Sequence, residues 1–133
     1  MSTRNQFESR IDSILAMLGG QRISFKAGQV LHYMDQYPRG YYLLIRGRVA
    51  LSDSELEGSA RELEAVTAPQ SFPDFGDLDQ PLPYTLLTRT ASLFWFFPRF
   101  VCQPGSFVLL CLDGLNEPGN PLFKLWSSYV ATT

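Results

Sequence analysis

The chain has 133 residues, the size of one domain, and its 45% hydrophobic and 18% charged residues match a packed globular protein and not a disordered one. Eleven Lys and Arg against thirteen Asp and Glu give a net charge of -2, so no basic surplus exists to neutralise a run of phosphates. One histidine and two cysteines exclude three-histidine and four-cysteine metal sites. Met1 to Gln6 is polar and precedes no apolar run of signal-peptide type, which points to a cytoplasmic protein. The most apolar windows, Tyr41–Ile45 and Leu93–Phe97, fall far short of the ~20 residues that cross a bilayer. Phe7, Ile11, Ile14, Leu15 and Leu18 recur at helical spacing and predict a helix over about 5–19. Asn5 with Glu8 three residues later is its expected cap, and Gly19-Gly20 its end.

After Gly20 the period becomes two. Ile23 and Phe25 alternate with Arg22, Ser24 and Lys26, Ala27-Gly28 reads as a turn, and Val30 to Tyr33 as a second short strand. Met34 to Gly40 reads as a loop. Tyr41–Ile45, bounded by Gly40 and Gly47, is a buried strand, and Arg46-Gly47-Arg48 turns the chain back through Val49 and Leu51. Residues 53–64 are mostly polar and acidic, as at the tip of a long hairpin, with a further strand expected over Leu63, Ala65 and Thr67. Phe72 to Tyr84, with three prolines, reads as irregular; strands resume at Thr85–Thr90 and Leu93–Phe97. Alternation turns either Phe94 and Phe96 or Trp95 and Phe97 outward, where a helix or a partner must cover them. Beyond Pro104, Leu122, Leu125, Trp126 and Tyr129 form a helical stripe, Pro118 and Pro121 break the region into two pieces, and Phe107–Leu112 fits helix or strand.

Short strands with glycine turns predict a mainly β chain folded as a jelly-roll barrel over about 22–99, flanked by the N-terminal helix and a helical segment over about 104–130, all within a single domain of residues 1–133. Three segments in this order resemble the cyclic nucleotide-binding domain family, the sensor half of catabolite activator protein-like regulators. They are Phe25-Lys26-Ala27-Gly28-Gln29-Val30-Leu31, then Gly40-Tyr41-Tyr42-Leu43-Leu44-Ile45-Arg46-Gly47-Arg48-Val49, and finally Thr88-Arg89-Thr90-Ala91 followed by Leu93 to Arg99. The resemblance implies a regulatory module whose ligand sits in a phosphate-binding cassette, where Phe-Gly-Glu opens a short helix and a following arginine holds the cyclic phosphate.

Alignment places Phe72-Pro73-Asp74 on Phe-Gly-Glu, Tyr84 on the arginine and Thr85 on the small hydroxyl residue after it. Proline then removes a backbone donor and tyrosine removes the cation. The alternative register, Phe75-Gly76-Asp77, keeps the glycine but leaves too few residues before Tyr84; Arg89, five residues further on, is the nearest replacement charge. Eight of the thirteen acids lie between Asp53 and Asp79, so carboxylates crowd the place of the anion. The cassette is therefore degenerate, and cyclic AMP or cyclic GMP is not expected to bind in the usual way.

His32 is the one imidazole: either a strand histidine facing solvent or bonded locally, or, in an alternative reading, the axial ligand of a haem or part of a small apolar-ligand sensor, since gas-sensing relatives carry haem in this fold. Cys102 and Cys111 read as reduced thiols. No Ser-His-carboxylate elbow and no histidine cluster of cupin type occurs, so a non-enzymatic module without cofactor or metal is expected. Its partners are expected to be a second copy or a larger regulatory protein docked through the C-terminal apolar segment. Neither nucleic acid nor membrane is expected, and the family's DNA-reading half is not expected within these residues.

Overall fold

The protein was analysed as a computed structural model that describes residues 3–52, 60–64, 70–74, 77–103 and 106–132. Helix α1 spans Thr3–Met17, two residues earlier than the stripe suggests, so Asn5 lies inside it and cannot be its cap. Ile11 and Leu15 are its buried face. Its end follows the glycine pair: the Gly19 N–H donates to the Ala16 carbonyl and the Gly20 N–H to the Leu15 carbonyl, each at 3.0 Å, with Gly19 at φ 94°. Those paired contacts satisfy carbonyls the last turn would leave open.

Among the described residues, eight strands follow: β1 (Gln21–Phe25), β2 (Val30–His32), β3 (Gly40–Arg46), β4 (Arg48–Ser52), β5 (Ala60–Glu64), β6 (Gln70–Phe72), β7 (Thr85–Thr88) and β8 (Ser92–Pro98). All pair antiparallel, in two sheets ordered β1-β8-β3-β6 and β2-β7-β4-β5. That interleaved order is the double Greek key of a jelly roll. The expected strand over Leu63–Thr67 starts earlier, at Ala60, because five residues of β5 pair with β4 from Ser52↔Ala60 to Arg48↔Glu64. The expected hairpin tip at 53–59, and residues 65–67, lie outside the described residues. β6 was not expected as a strand, and its last residue, Phe72, falls in the segment read as irregular; its three residues pair against Tyr42 to Leu44.

β3 and β8 form the central wall, and their alternation sorts the aromatics. Leu44, Phe72 and Phe94 meet Val49, Leu51 and Leu86 from the other sheet in the barrel interior, with Phe25, Leu31, Tyr42 and Tyr84 packed around them. Tyr41, Leu43, Ile45, Leu93, Trp95 and Phe97 face the other way. There they are covered by α1 together with α2 (Phe107–Gly114) and α3 (Pro121–Thr132). The outward half of Leu93–Phe97 is thus covered by this chain's own helices. Both faces of the wall are dry, which explains why its strands read as unbroken apolar runs. The ambiguous Phe107–Leu112 segment is helical. α3 begins where two signals coincide: Pro121 occupies the first turn, and the Asn120 side-chain oxygen accepts the Leu122 N–H at 2.9 Å.

Thr88 carries the first glycine turn. Its buried hydroxyl accepts the Gln29 N–H at 3.0 Å and donates to the Lys26 carbonyl, while the Gly28 N–H donates to the Thr88 carbonyl at 2.7 Å. Thr88→Val keeps the shape and deletes the hydroxyl, leaving a donor and an acceptor without partners. We expect a loss of about 2–3 kcal/mol, read from the midpoint of urea unfolding at unchanged slope.

Candidate functional site

The segment between β6 and β7 closes one end of the barrel. Phe72 is buried in the interior, and the Phe72–Pro73 peptide is cis. Asp74 and Asp77 are exposed, Leu78 and Leu82 are buried, and none of the described residues from 73 to 84 is helical. Leu78 packs with the helix-side core. Two hydrogen bonds lace this segment to the loop between β2 and β3: the Asp35 N–H donates to the Leu82 carbonyl at 2.7 Å, and the Leu82 N–H to the Gln36 carbonyl at 3.0 Å. Met34 adds a third, its N–H donating to Thr85 Oγ1 at 3.0 Å.

Arg99, just past β8, clamps the same two segments. Its guanidinium donates to the Leu78 carbonyl, to Asp79 Oδ1 at 3.1 Å and to the Pro38 carbonyl at 3.4 Å, while its N–H donates to the Arg39 carbonyl at 2.8 Å. The Asp79 arm is half in water and adds little; the contacts with the chain's carbonyls fix the loop. Sequence reasoning missed Arg99, because only the pairing of Gly40 with Pro98 brings residue 99 beside residue 39.

No protein-family model and no curated protein matches the sequence. Solved structures do match. A protein of a cyclic-GMP-dependent signalling pathway that regulates bacterial phytopathogenesis is 15% identical, with TM-score 0.56, covering 77% of this chain and 76% of that one. The CBD2 of PKAR bound to Sp-2Cl-cAMPS is 11% identical with TM-score 0.57, over 86% and 84%. The chain has a cyclic nucleotide-binding-like fold. The catabolite activator protein of Thermus thermophilus matches too, at 18% identity and TM-score 0.53; 92% of this chain lies on about half, 51%, of that one.

Within this cyclic nucleotide-binding-like fold, the expected cassette residues occupy two ends of one loop. Phe72, Pro73 and Asp74 stand where β6 ends, Tyr84 and Thr85 where β7 begins. Tyr84, on the arginine position, packs against the apolar interior. Thr85 already uses its hydroxyl oxygen as an acceptor for Met34. Phe75 and Gly76 of the alternative register lie outside the described residues. Arg89 is not brought to this group. It sits beyond the far end of β7, where its N–H donates to the Arg48 carbonyl at 2.8 Å, so four residue steps along the strand, roughly 13 Å, separate it from Thr85.

His32 departs from the solvent-facing reading. It is 8% exposed, and its Nε2 is buried with no hydrogen-bond partner among the described residues. A register shift between Val30 and His32 displaces the alternation that would have turned it outward. Burial lowers its pKa below the ordinary 6.5, a hydrogen bond with the Gln36 backbone opposes that, and the nearby Arg39 charge adds to the lowering. Arg39 also acts on Tyr42, whose hydroxyl is raised chiefly by burial. The spacing in sequence offers no signal for this His32–Arg39–Tyr42 neighbourhood.

The sign of the His32 effect is fixed by that depression. Above 6.5 the imidazole is neutral folded and unfolded; below it the unfolded chain takes up the proton first, so stability falls as pH drops toward the folded-state value. His32→Gln should flatten stability over the interval just below 6.5, measured by chemical denaturation at a series of pH values; an unchanged slope contradicts the assignment.

Cys102 and Cys111 are free thiols; burial pushes Cys102 up to about 11 and raises Cys111 as well, so neither is an activated nucleophile. Among the described residues no group of three or more His, Cys, Asp or Glu can hold a metal ion, and no helix is long and apolar enough to cross a membrane.

Proposed function

We propose that this chain is a non-enzymatic regulatory or protein-interaction module built on a cyclic nucleotide-binding-like fold, and that it does not take cyclic AMP or cyclic GMP through the usual cassette contacts. One observation carries the reading: at the arginine position the side chain is Tyr84, turned into the apolar interior. The wider sequence agrees, since no lysine or arginine lies between Arg61 and Arg89 while Asp74, Asp77 and Asp79 do. A cyclic phosphate keeps its negative charge, and moving it from water into this site without a paired cation or a helix N-terminus costs several kcal/mol. The loop is also laced shut by Leu82, Thr85 and Arg99.

Two of the similar structures are described with cyclic GMP or a cyclic AMP analogue, which names the ligands to try. Calorimetric titration with cyclic AMP and cyclic GMP is expected to give no heat beyond dilution. Micromolar binding of either would overturn the proposal.

The haem reading has one observation in its favour, the unpartnered Nε2 of His32. The barrel interior does not fit a macrocycle: Phe25, Tyr42 and Phe94 pack edge to face within it, with ring centroids 5.7 to 6.5 Å apart. Haem titration of the purified protein should therefore produce no Soret band that depends on His32.

A further inference from the structure

Charge is sorted between the two ends of the barrel. Among the described residues, three connections meet at the end away from the cassette loop: Ala27-Gly28 between β1 and β2, Gly47 between β3 and β4, and residues 89–91 between β7 and β8. They are stitched together, with Arg89 and Thr90 donating their N–H groups to the Arg48 carbonyl, the Arg48 N–H donating to Thr90 Oγ1 at 2.9 Å, and Thr88 joined to Lys26. Lys26, Arg46, Arg48 and Arg89, all exposed, stand on these connections. Among the described residues, strand register also brings Glu64 there, opposite Arg48.

The other end has the reverse character. Among the described residues, Asp35, Asp74, Asp77 and Asp79 are exposed in the β2–β3 and β6–β7 loops there, beside Arg39 and Arg99. A chain of net charge -2 thus presents a basic pole made of strand turns and an acidic pole made of the cassette loop and its neighbour.

We infer that the basic end of the barrel is a docking surface for an acidic protein face, and that the face it fits is the cassette-loop end of a second copy, packed head to tail. Complementary poles at opposite ends of one rigid barrel match each other in a heterologous contact, which builds rings or open chains where a two-fold pair would close. The turns that carry the cations are pinned by backbone hydrogen bonds, so ordering them on contact costs little entropy. Attraction between opposed rims of charge governs encounter and fades with salt, from a reach of about 30 Å at ~0.01 M to about 3 Å at ~1 M. This surface is distinct from the barrel interior and does not depend on what that interior binds.

Sedimentation velocity of the full chain over a concentration series at about 0.01 M and about 1 M salt tests the inference. Reversible association at low salt that disappears at high salt is the expected result. Arg46→Glu with Arg48→Glu should weaken it roughly tenfold or more, as should Asp74→Arg with Asp77→Arg. Mixing the two reversed proteins should restore association between them, a result that misfolding of either one cannot produce. A monomer at every concentration and salt overturns the inference. So does a dimer indifferent to salt and to both reversals, which would place the contact on an apolar face, and so does binding to anionic vesicles or heparin without self-association.

Discussion

Gly47→Ala is expected to lower the melting temperature by roughly 10–15 °C. Two costs act together. Gly47 sits at φ 113°, a left-handed conformation that a side chain resists by about 1–2 kcal/mol. An added Cβ would also land on Ser92 Oγ and, at 2.8 Å each, on the Ala91 carbonyl and Ser92 Cα; the hydroxyl can rotate, but the two backbone atoms cannot move aside. Overpacking of that kind costs a further ~1–3 kcal/mol. The turn joins β3 to β4, and so one sheet to the other, which prevents the strain from being relieved locally. Gly28→Ala is the control. It too has positive φ, at 84°, but a Cβ there meets nothing within 4 Å, so its cost should be confined to the backbone part. Calorimetric melts of the two variants separate the contributions; equal losses would refute the steric account.

Trp126→Ala should cost about 3–5 kcal/mol, enough to remove much of a stability that for domains of this kind is about 5–15 kcal/mol. Trp126 is fully buried in the core between the helices and the central wall, stacked obliquely on Tyr129 at 5.7 Å between centroids. Its removal enlarges an apolar cleft of ≈ 40 Å³ already lined by Ile14, Leu18, Cys111 and Leu122, which cannot collapse around the loss. Trp126→Phe should behave differently. The indole Nε1 has no hydrogen-bond partner among the described residues, so phenylalanine removes an unmet donor along with some packed area. The two terms oppose each other, and a change within about 1 kcal/mol is expected from urea titration. A Phe variant as damaged as the Ala variant would show that the indole hydrogen is satisfied.

The elements legible in the sequence are those whose physics is local. Gly28 and Gly47 announce turns because positive φ there admits little else, and Tyr41–Ile45 and Leu93–Phe97 announce a wall buried on both sides. β6 was not legible: three residues, Gln70–Phe72, show no alternation to count, and pairing with β3 alone makes them a strand. The start of α1 was missed because Thr3 to Gln6 carries no apolar stripe. At the candidate site, Tyr84 in place of an arginine was visible in alignment, but its inward packing was not. His32 is buried by a local register shift, and Arg99 finds Leu78 and Pro38 only through the pairing of distant strands; neither is encoded in any short window. Choosing between a helix and a partner as the cover for Trp95 and Phe97 likewise required knowing where three helices pack.

One row of polar atoms crosses that helical cover. Trp95 Nε1 donates to the Tyr129 hydroxyl at 3.2 Å, that hydroxyl donates to Asp12 Oδ1 at 2.8 Å, and Asp12 Oδ2 lies 3.7 Å from Arg22. The row runs from β8 through α3 and α1 to β1; its two hydrogen bonds are directional, while the ion pair, partly in water, is looser. Apolar contacts tolerate sliding; this row does not, so it acts as a ruler that sets how far α3 is advanced along its own axis and how α1 is rotated against it. Trp95 shares β8 with Phe94 and Phe96 on the interior side, so one strand carries both the anchor of the helical cover and part of the barrel's inner lining.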